Sequence, residues 1–215
     1  MSGISGRMNF FPDRLHPDAA AYAEAYFEQV RAAHATVDRV ALNAAANILT
    51  QTVRMNADVF SCGNGGSAAI SNHLLCDCLK GVANGTFLRP RVHSLASAVE
   101  LITAISNDLS VEEIFAFPLS SLAKAGDLLI VISSSGASRN IVRALETAAE
   151  MGVRTIALTG FDGGQAAQMA DVSLHVDCAN YGVVEDVHQS LMHILAQNIR
   201  HANLADSATL GRVRF

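Results

Sequence analysis

Four side chains suited to metal binding or proton transfer occur at helical spacing in two separate segments. His73 and Asp77 are four residues apart, so on a helix both project from one face. Glu185 and His193 are eight residues apart, which leaves them on roughly one side of a later helix. Histidine nitrogens and carboxylate oxygens are good zinc ligands, so the four residues form a candidate zinc shell. The competing interpretation is two solvated helix faces, where polar residues also recur at this spacing.

A glycine-rich loop with the sequence CGNGGS, residues 62–67, follows a short apolar run and precedes a helix-like segment. Backbone N–H groups and the helix dipole at such a junction can face an anion, and glycine lets the backbone approach closely. The loop lacks the complete GxGxxG pattern of a dinucleotide site and the GxxxxGK[ST] pattern of a P-loop. Its candidate ligand-binding residues are Asn64, Gly65 and Ser67, and the competing interpretation is a tight connection without a ligand.

A second loop gathers four hydroxyls where the very apolar run LLIVI ends and another helix begins. Ser138 is also suited to be the N-cap of that helix. Four hydroxyls with no lysine among them favour a phosphate monoester held by neutral donors over capping alone. A third loop, residues 159–164, is interpreted as a structural turn. The phosphate-binding candidates of the second loop are Ser133, Ser134, Ser135 and Ser138.

These loops need a framework, and the chain predicts one in which strands alternate with helices. Five apolar runs have strand length, and helix-like segments such as SRNIVRALETAAEMG and EDVHQSLMHILAQNIR lie between or after them. Alternation of this kind indicates a parallel sheet with helices on both faces, where ligands bind at the carboxyl ends of the strands. Two alanine-rich stretches between about Asp18 and Arg54 predict two amphipathic helices before the first strand. The predicted strands are ADVFSCG, RVHSLA, LLIVISSSG, RTIALTG and DVSLHVD.

Length and composition exclude several classes of protein. Of 215 residues half are hydrophobic and 16% are charged, which excludes a disordered chain and leads us to expect an oligomer. The formal net charge of −5 opposes a broad nucleic-acid-binding face. No apolar run reaches the length of a membrane span, and the first 18 residues lack the regions of a signal peptide. We therefore expect a cytoplasmic protein that binds neither nucleic acid nor membrane.

The four cysteines show neither a CxxC motif nor any paired zinc spacing. A domain of this size has little need of disulfides. We interpret Cys62, Cys76, Cys78 and Cys178 as reduced core thiols.

Five motifs together resemble one known family. CGNGGSAAISNH, SNDLSVEEIF, SSSGASRNI, LTGFDGG and EDVHQSLMHIL are similar, in order and spacing, to the phosphoheptose isomerases of the sugar isomerase (SIS) domain superfamily, from about residue 20 to 200. The resemblance implies an α/β fold: a single SIS domain with a flavodoxin-like five-stranded parallel sheet. It also implies a homotetramer with active sites between subunits. The implied division is assembly helices over residues 1–55, the sugar-phosphate-binding domain over 56–203 and a tail over 204–215.

The resemblance also implies a reaction, the interconversion of sedoheptulose 7-phosphate and D-glycero-D-manno-heptose 7-phosphate by proton transfer, which leads to the heptose of lipopolysaccharide. His73 and His193 match the family's two histidines, the second of which acts as the acid. Asp77 stands where the family has its base, a glutamate, and Glu185 stands where it has a glutamine. Either carboxylate is therefore a candidate base, and His73, Asp77, Glu185 and His193 are candidate ligands of zinc.

The substrate-binding residues implied by the resemblance are largely present. Ser133, Ser135 and Ser138 match the family's phosphate-binding serines, and Ser67 matches a serine of the first loop. Asn107 and Asp108 match a pair near the sugar hydroxyls, with an Asx turn as the competing interpretation. Two departures are Gly81, where the family commonly has arginine, and Ala137, where it usually has asparagine.

Two rival functions follow from the same pattern. One is a tetrameric, non-catalytic SIS scaffold of the kind that associates with the bacterial replication initiator, and such proteins typically lack the acid histidine and the carboxylate. The other is an isomerase for a different phosphorylated sugar, to which the altered residues 77, 81, 137 and 185 would be fitted. A transcriptional sugar sensor is disfavoured because the N-terminal helices present an alanine-rich packing surface instead of a basic recognition helix.

Overall fold

The computed structural model describes residues 10–212 and contains a five-stranded, entirely parallel sheet flanked by helices. The strand order is β2-β1-β3-β4-β5, the flavodoxin-like order of a doubly wound sheet. The predicted α/β class and all five predicted strands are therefore confirmed. The strands are β1 Asp58–Gly63, β2 Arg91–Ser94, β3 Leu128–Ser133, β4 Arg154–Thr159 and β5 Val172–His175.

The two N-terminal helices each begin at an aspartate that caps them. The carboxylates of Asp18 and Asp38 accept hydrogen bonds from the backbone N–H groups of Ala21 and Val40, at 2.8 and 2.7 Å, so each predicted N-terminal helix has a polar cap. The described α-helices are α1 Ala19–Thr36, α2 Arg39–Arg54, α3 Gly66–Cys76, α4 Val99–Asp108, α5 Glu113–Leu122, α6 Arg139–Met151, α7 Gly164–Met169 and α8 Tyr181–Ala202.

One helical segment departs from α-helical geometry. Directly after α3 the backbone continues as a π-helix over Asp77–Val82. A π-helix has a wider turn than an α-helix and occurs frequently at functional sites. The wider turn starts at Asp77, one of the candidate bases, and the sequence pattern did not predict it.

The core lies on both faces of the central strand β3. Leu128, Ile130 and Ile132 pack into a cluster with side chains of α2, α3 and α8, whereas Leu129 and Val131 pack on the opposite face with side chains of α5 and α6. Burial on both faces explains why this strand reads as a continuous apolar run with no alternation. Helices thus cover both faces of the sheet. The candidate ligand-binding loops follow the carboxyl ends of the strands, at one edge of the sheet.

Near the C-terminus, Leu204 forms an isolated antiparallel bridge with Thr86, and Ser207–Thr209 form a short 3-10 turn. Residues 1–9 and 213–215 lie outside the described residues, so the first half of the 18-residue segment examined for a signal peptide does too. Among residues 10–212, no helix combines the length and the apolarity that crossing a membrane requires.

The interpretation of all four cysteines as core thiols is wrong for one of them. Cys62 and Cys78 are buried and Cys178 is partly buried, but Cys76 is exposed. Burial raises the pKa of the Cys62 thiol far above its usual range and that of Cys78 to about 12, so both remain protonated and unreactive. Cys76 is the last residue of α3 and lines an open cavity beside Asp77.

Candidate active site

Two of the predicted loops meet because their strands are neighbours in the sheet. Gly63 at the end of β1 is in register with Ile132 of β3, so the glycine loop and the serine loop leave the same edge side by side. The side-chain amides of Asn64 and Asn140 exchange two hydrogen bonds of 2.9 Å and tie the first loop to the start of α6. Gly65 has a φ of +53°, which favours glycine at this turn.

Between the two loops lies a small cavity of about 130 Å³, here called the serine pocket. Ser134 is 5% exposed, and its hydroxyl is buried without a hydrogen-bond partner among the described residues. A buried hydroxyl without a hydrogen-bond partner costs free energy unless a ligand or a water molecule supplies one. Because Ser134 lines this cavity, its unpaired hydroxyl indicates that the cavity binds a polar group. The pocket is lined by Asn64, Ser67, Ile132, Ser133, Ser134, Ser135, Ser138, Tyr181 and Glu185.

The other serines of the loop bind the backbone in part. The hydroxyls of Ser133 and Ser135 accept hydrogen bonds from the N–H groups of Gly136 and Ala137, at 3.1 and 3.3 Å, so the hydroxyl protons can point to a ligand. Ser138 occupies the N-cap position of α6, but its side chain makes no capping hydrogen bond. Capping therefore does not account for the Ser138 hydroxyl.

The third loop supports the second, in agreement with its interpretation as a structural turn. Gly136 has a φ of +61°, and a Cβ there would collide with the carbonyl of Gly163. The backbone of Gly136 also accepts a hydrogen bond of 2.9 Å from the N–H of Ala166 in α7. Glycine is needed at position 136 because the two loops touch backbone to backbone.

Glu185 lies in the serine pocket. Its carboxylate packs against the Cα of Gly66 at the start of α3, where any Cβ would collide with it. Burial raises the pKa of Glu185 above its usual value, and the neighbouring carboxylate of Asp186 raises it further. Asp186 itself points elsewhere and accepts a hydrogen bond of 2.7 Å from the Tyr26 hydroxyl.

The other three residues of the candidate zinc shell converge as predicted. Asp77 contacts both histidines through different oxygens: Oδ1 lies 3.3 Å from His73 Nε2 and Oδ2 lies 2.8 Å from His193 Nδ1. The two imidazole rings meet edge to face with centroids 4.9 Å apart. We call these three residues the His–Asp–His cluster.

A neighbouring glutamine orients His193. The side-chain nitrogen of Gln189 lies 3.1 Å from His193 Nε2 and can only donate, so His193 Nε2 accepts and His193 Nδ1 carries the proton that Asp77 accepts. A proton donor and a proton acceptor are thereby held in direct contact. Gln189 was not predicted from the sequence, although its position four residues before His193 places it on the same helix face.

The cluster also fits a metal ion. His73, Asp77 and His193 each offer one ligand atom, and these atoms all lie within 4.8 Å of one another. Two imidazoles and one carboxylate are a ligand set of catalytic zinc sites, in which a further position stays open. Glu185, the fourth predicted ligand, is not part of this group because its carboxylate lies in the serine pocket.

A cavity of about 250 Å³ opens beside the cluster. The π-helix supplies Lys80 and Gly81 to its wall, and α8 supplies Arg200. Gly81 has no side chain that would fill the cavity. Lys80 and Arg200 bring positive charge to its lining, and the lining of the serine pocket has no cationic residue. The full lining is His73, Cys76, Asp77, Lys80, Gly81, His193, Ala196, Gln197 and Arg200.

Some candidate residues are not brought to either cavity. Asn107 and Asp108 lie exposed at the end of α4, where the Asn107 amide donates to the Asp108 carboxylate at 2.7 Å. Neither lines the serine pocket or the cavity at the cluster. Their contact with a sugar stays a prediction.

The remaining central histidine, His188, is fully buried on α8 and has a structural contact. Its Nε2 lies 3.1 Å from the backbone carbonyl of Thr159 at the end of β4 and donates to it. Burial lowers its pKa to about 4, so it is neutral near pH 7.

Two helices that pack together carry both sites. Gly66 on α3 and Glu185 on α8 lie at the serine pocket, and His73 and His193 on the same helices belong to the cluster. The two ends are seven residues apart on α3 and eight residues apart on α8. At about 1.5 Å per residue, the serine pocket and the His–Asp–His cluster are separated by roughly 10 Å along the helices. An elongated anionic molecule of that length can reach both.

Comparison with known proteins identifies the family to which this chain belongs. The family model described as the SIS domain matches residues 22–160. The phosphoheptose isomerase of Akkermansia muciniphila is 38% identical over 154 residues, covering 71% of this chain and 80% of the relative. That of Mycobacterium tuberculosis is 37% identical over 173 residues, covering 78% and 87%. The chain therefore belongs to the phosphoheptose isomerases of the SIS domain family, and it is an isomerase enzyme.

A solved structure is similar over most of its length. The phosphoheptose isomerase of Neisseria gonorrhoeae superimposes with a TM-score of 0.76 at 30% sequence identity, covering 84% of this chain and 95% of that chain. The predicted family resemblance and the flavodoxin-like topology are thus confirmed together.

Proposed function

We propose that this enzyme interconverts sedoheptulose 7-phosphate and D-glycero-D-manno-heptose 7-phosphate. The coarser activity, isomerisation of a sugar phosphate, follows from the family. The observation that carries the finer proposal is the pairing of a hydroxyl-lined pocket with an acid–base cluster on α3 and α8. One site suits a phosphate, and the other suits the carbon and oxygen atoms that exchange protons.

The distance between the two sites favours a long substrate. With carbon–carbon bonds of about 1.5 Å, an extended seven-carbon sugar carries its terminal phosphate roughly 9 Å from carbons 1 and 2. The rise of α3 and α8 separates the sites by a similar length, roughly 10 Å. A three-carbon sugar phosphate would not reach from one site to the other.

The cluster contains the groups that the proton transfers need. Starting from the ketose, Asp77 takes the proton from carbon 1 while His193 donates a proton to the oxygen on carbon 2, which forms the enediol. His193 then accepts the proton from the oxygen on carbon 1, and Asp77 returns its proton to carbon 2, which forms the aldose. We favour Asp77 over Glu185 as the base because Asp77 contacts His193 directly, whereas Glu185 lies in the serine pocket.

Zinc held by His73, Asp77 and His193 would supply Lewis-acid polarisation of the carbonyl oxygen. Glu185, predicted from the sequence as a fourth ligand, lies outside this group. We also propose that the enzyme is a cytoplasmic homotetramer and that its product leads to the heptose of lipopolysaccharide. The proposed division of the chain has boundaries at residues 55 and 203. Apolar side chains exposed on α1, α4 and α5 support assembly with further copies: Phe27, Val99, Leu101, Leu109, Phe117 and Leu122.

The test is to follow sedoheptulose 7-phosphate in D₂O by NMR with the purified, metal-analysed enzyme, with and without added zinc. Appearance of the aldose, with deuterium next to the carbonyl carbon, is the expected result. No exchange under either condition would contradict the proposal, and the same assay with other sugar phosphates would then identify a different substrate or leave a scaffold function. A rate that depends on added zinc would support the metal assignment.

A further inference from the structure

We propose that Glu185 acts as a built-in anionic competitor in the serine pocket and thereby limits how tightly the enzyme holds a phosphate. The inference rests on the part of the proposed function that assigns this pocket to the phosphate. It adds a specificity-determining residue that disfavours small phosphate anions.

The position of the carboxylate carries the proposal. Glu185 lines the same cavity as Ser133, Ser134 and Ser135, and it packs against Gly66 in the first turn of α3. Backbone N–H groups in the first turn of a helix have no partner within the helix and attract anions. The Glu185 carboxylate therefore already occupies part of the space in which a phosphate would be most stable.

A second observation shows that the pocket is built for a polar ligand. Ser134 lines the cavity and is more than nine-tenths buried, and its hydroxyl is buried with no hydrogen-bond partner among the described residues. The cavity of about 130 Å³ is bounded by Glu185 itself, so any anion placed in it lies beside that carboxylate. A phosphate must displace the carboxylate or be bound against its charge.

A substrate with a long sugar chain can offset this repulsion through its contacts near the cluster, whereas inorganic phosphate cannot. Glu185 thus selects for ligands that reach both sites. This selection depends on charge and location, so an amide at position 185 should remove it while keeping the size of the side chain.

Calorimetric titration with inorganic phosphate, in the presence of a chelator so that no metal binds the anion, tests the proposal. For Glu185→Gln we expect an affinity about tenfold higher than wild type, the scale of one charge interaction in a partly solvated site. The matched control is Asp186→Asn, which removes the same charge one residue away, where the side chain faces Tyr26. The control should bind phosphate like wild type.

Adding Ser135→Ala to Glu185→Gln should abolish the gain, because the gained binding must occur in the serine pocket. An unchanged affinity in Glu185→Gln, an equal gain in Asp186→Asn, or a gain that survives Ser135→Ala would each overturn the inference. If Glu185→Gln does not fold, as judged by circular dichroism, Glu185→Ala replaces it with the same expectation. Because no turnover is measured, a failure of the heptose assay would leave this result interpretable.

Discussion

The serine pocket and the His–Asp–His cluster are built in opposite ways. The pocket comes mostly from two short loops, residues 62–67 and 133–138, which follow adjacent strands and offer backbone groups and neutral hydroxyls, while α8 adds Tyr181 and Glu185. The cluster consists of charged or titratable side chains on two helices, and its contact between Asp77 and His193 joins residues 116 positions apart. Binding by the pocket therefore depends on local chain geometry, and chemistry at the cluster depends on how α8 packs on α3.

The two regions should consequently respond differently to substitution. A change in the cluster should remove catalysis and leave substrate binding, and a change in the pocket should do the reverse. The sharpest version of this contrast is at His193.

Replacing His193 with alanine should lower kcat about 1000-fold, within the range for loss of a general acid. Steady-state kinetics on sedoheptulose 7-phosphate measures the effect, and circular dichroism verifies the fold. The matched control is His201→Ala, an exposed histidine on the same helix, which should keep wild-type rates. An active His193→Ala enzyme would remove this residue from the proton transfers.

His188 lies on α8 between Glu185 and His193. Substituting it tests whether the hydrogen bond from the neutral imidazole to the Thr159 carbonyl stabilises the fold. Its pKa of about 4 lies below the value of about 6.5 in an unfolded chain, so between these values the unfolded state binds more protons. Its contribution to stability is thus present near pH 7 and is lost as the pH falls to 4, by about 3 kcal/mol.

The comparison is between wild type and His188→Gln, which can donate to the Thr159 carbonyl at any pH. Urea unfolding at pH 7 and pH 4 should show that wild type loses about 3 kcal/mol more than the variant. His201→Gln, at an exposed position, should retain the wild-type pH dependence. Parallel losses in wild type and His188→Gln would contradict the assignment.

In the pocket, Ser135→Ala should raise KM for the phosphorylated sugar roughly tenfold at unchanged kcat, because one hydrogen bond is lost equally in the ground and transition states. Ser120→Ala is the matched control, since that serine is exposed on α5 and its hydroxyl donates to the backbone carbonyl of Phe117 in the same helix. A fall in kcat with constant KM would show that the serine takes part in the chemistry.

The smallest expected effect is at Gln189. Replacing it with alanine removes the donor to His193 Nε2 and leaves the contact with Asp77, so we expect a loss in kcat of a few fold, the scale of one neutral hydrogen bond. Ser190→Ala, at a partly buried neighbour whose hydroxyl donates to the Asp186 backbone carbonyl, serves as the control. A loss as large as that of His193→Ala would mean that Gln189 takes part directly in proton transfer.

Local signals in the sequence were enough for much of this molecule. All five strands were predicted because each apolar run is bounded by glycine or polar residues, and the two helices predicted between about Asp18 and Arg54 are α1 and α2. The two loops that supply most of the serine pocket were recognised because each follows an apolar strand, whereas the contribution of Tyr181 and Glu185 from α8 was not predicted. Local chemistry and a simple topology rule are sufficient for such loops.

Other features could not be read from the pattern. The π-helix at Asp77, the exposure of Cys76 and the orientation of His193 by Gln189 depend on how side chains pack. Glu185 shows this most clearly: its spacing from His193 suggested a shared metal site, yet its carboxylate packs against Gly66. Helical spacing determines which face a residue is on and does not determine which neighbour a flexible side chain reaches.

By itself, the sequence determined the order of strands and helices, the two anion-facing loops and the identity of the side chains available for proton transfer, because periodicity, turn residues and capping are local properties. The tertiary structure alone decided that His73, Asp77 and His193 converge while Glu185 joins the serines. The physical reason is that α3 and α8 are distant in the chain, and only their packing on one face of the sheet sets the distances on which metal binding and acid–base chemistry depend.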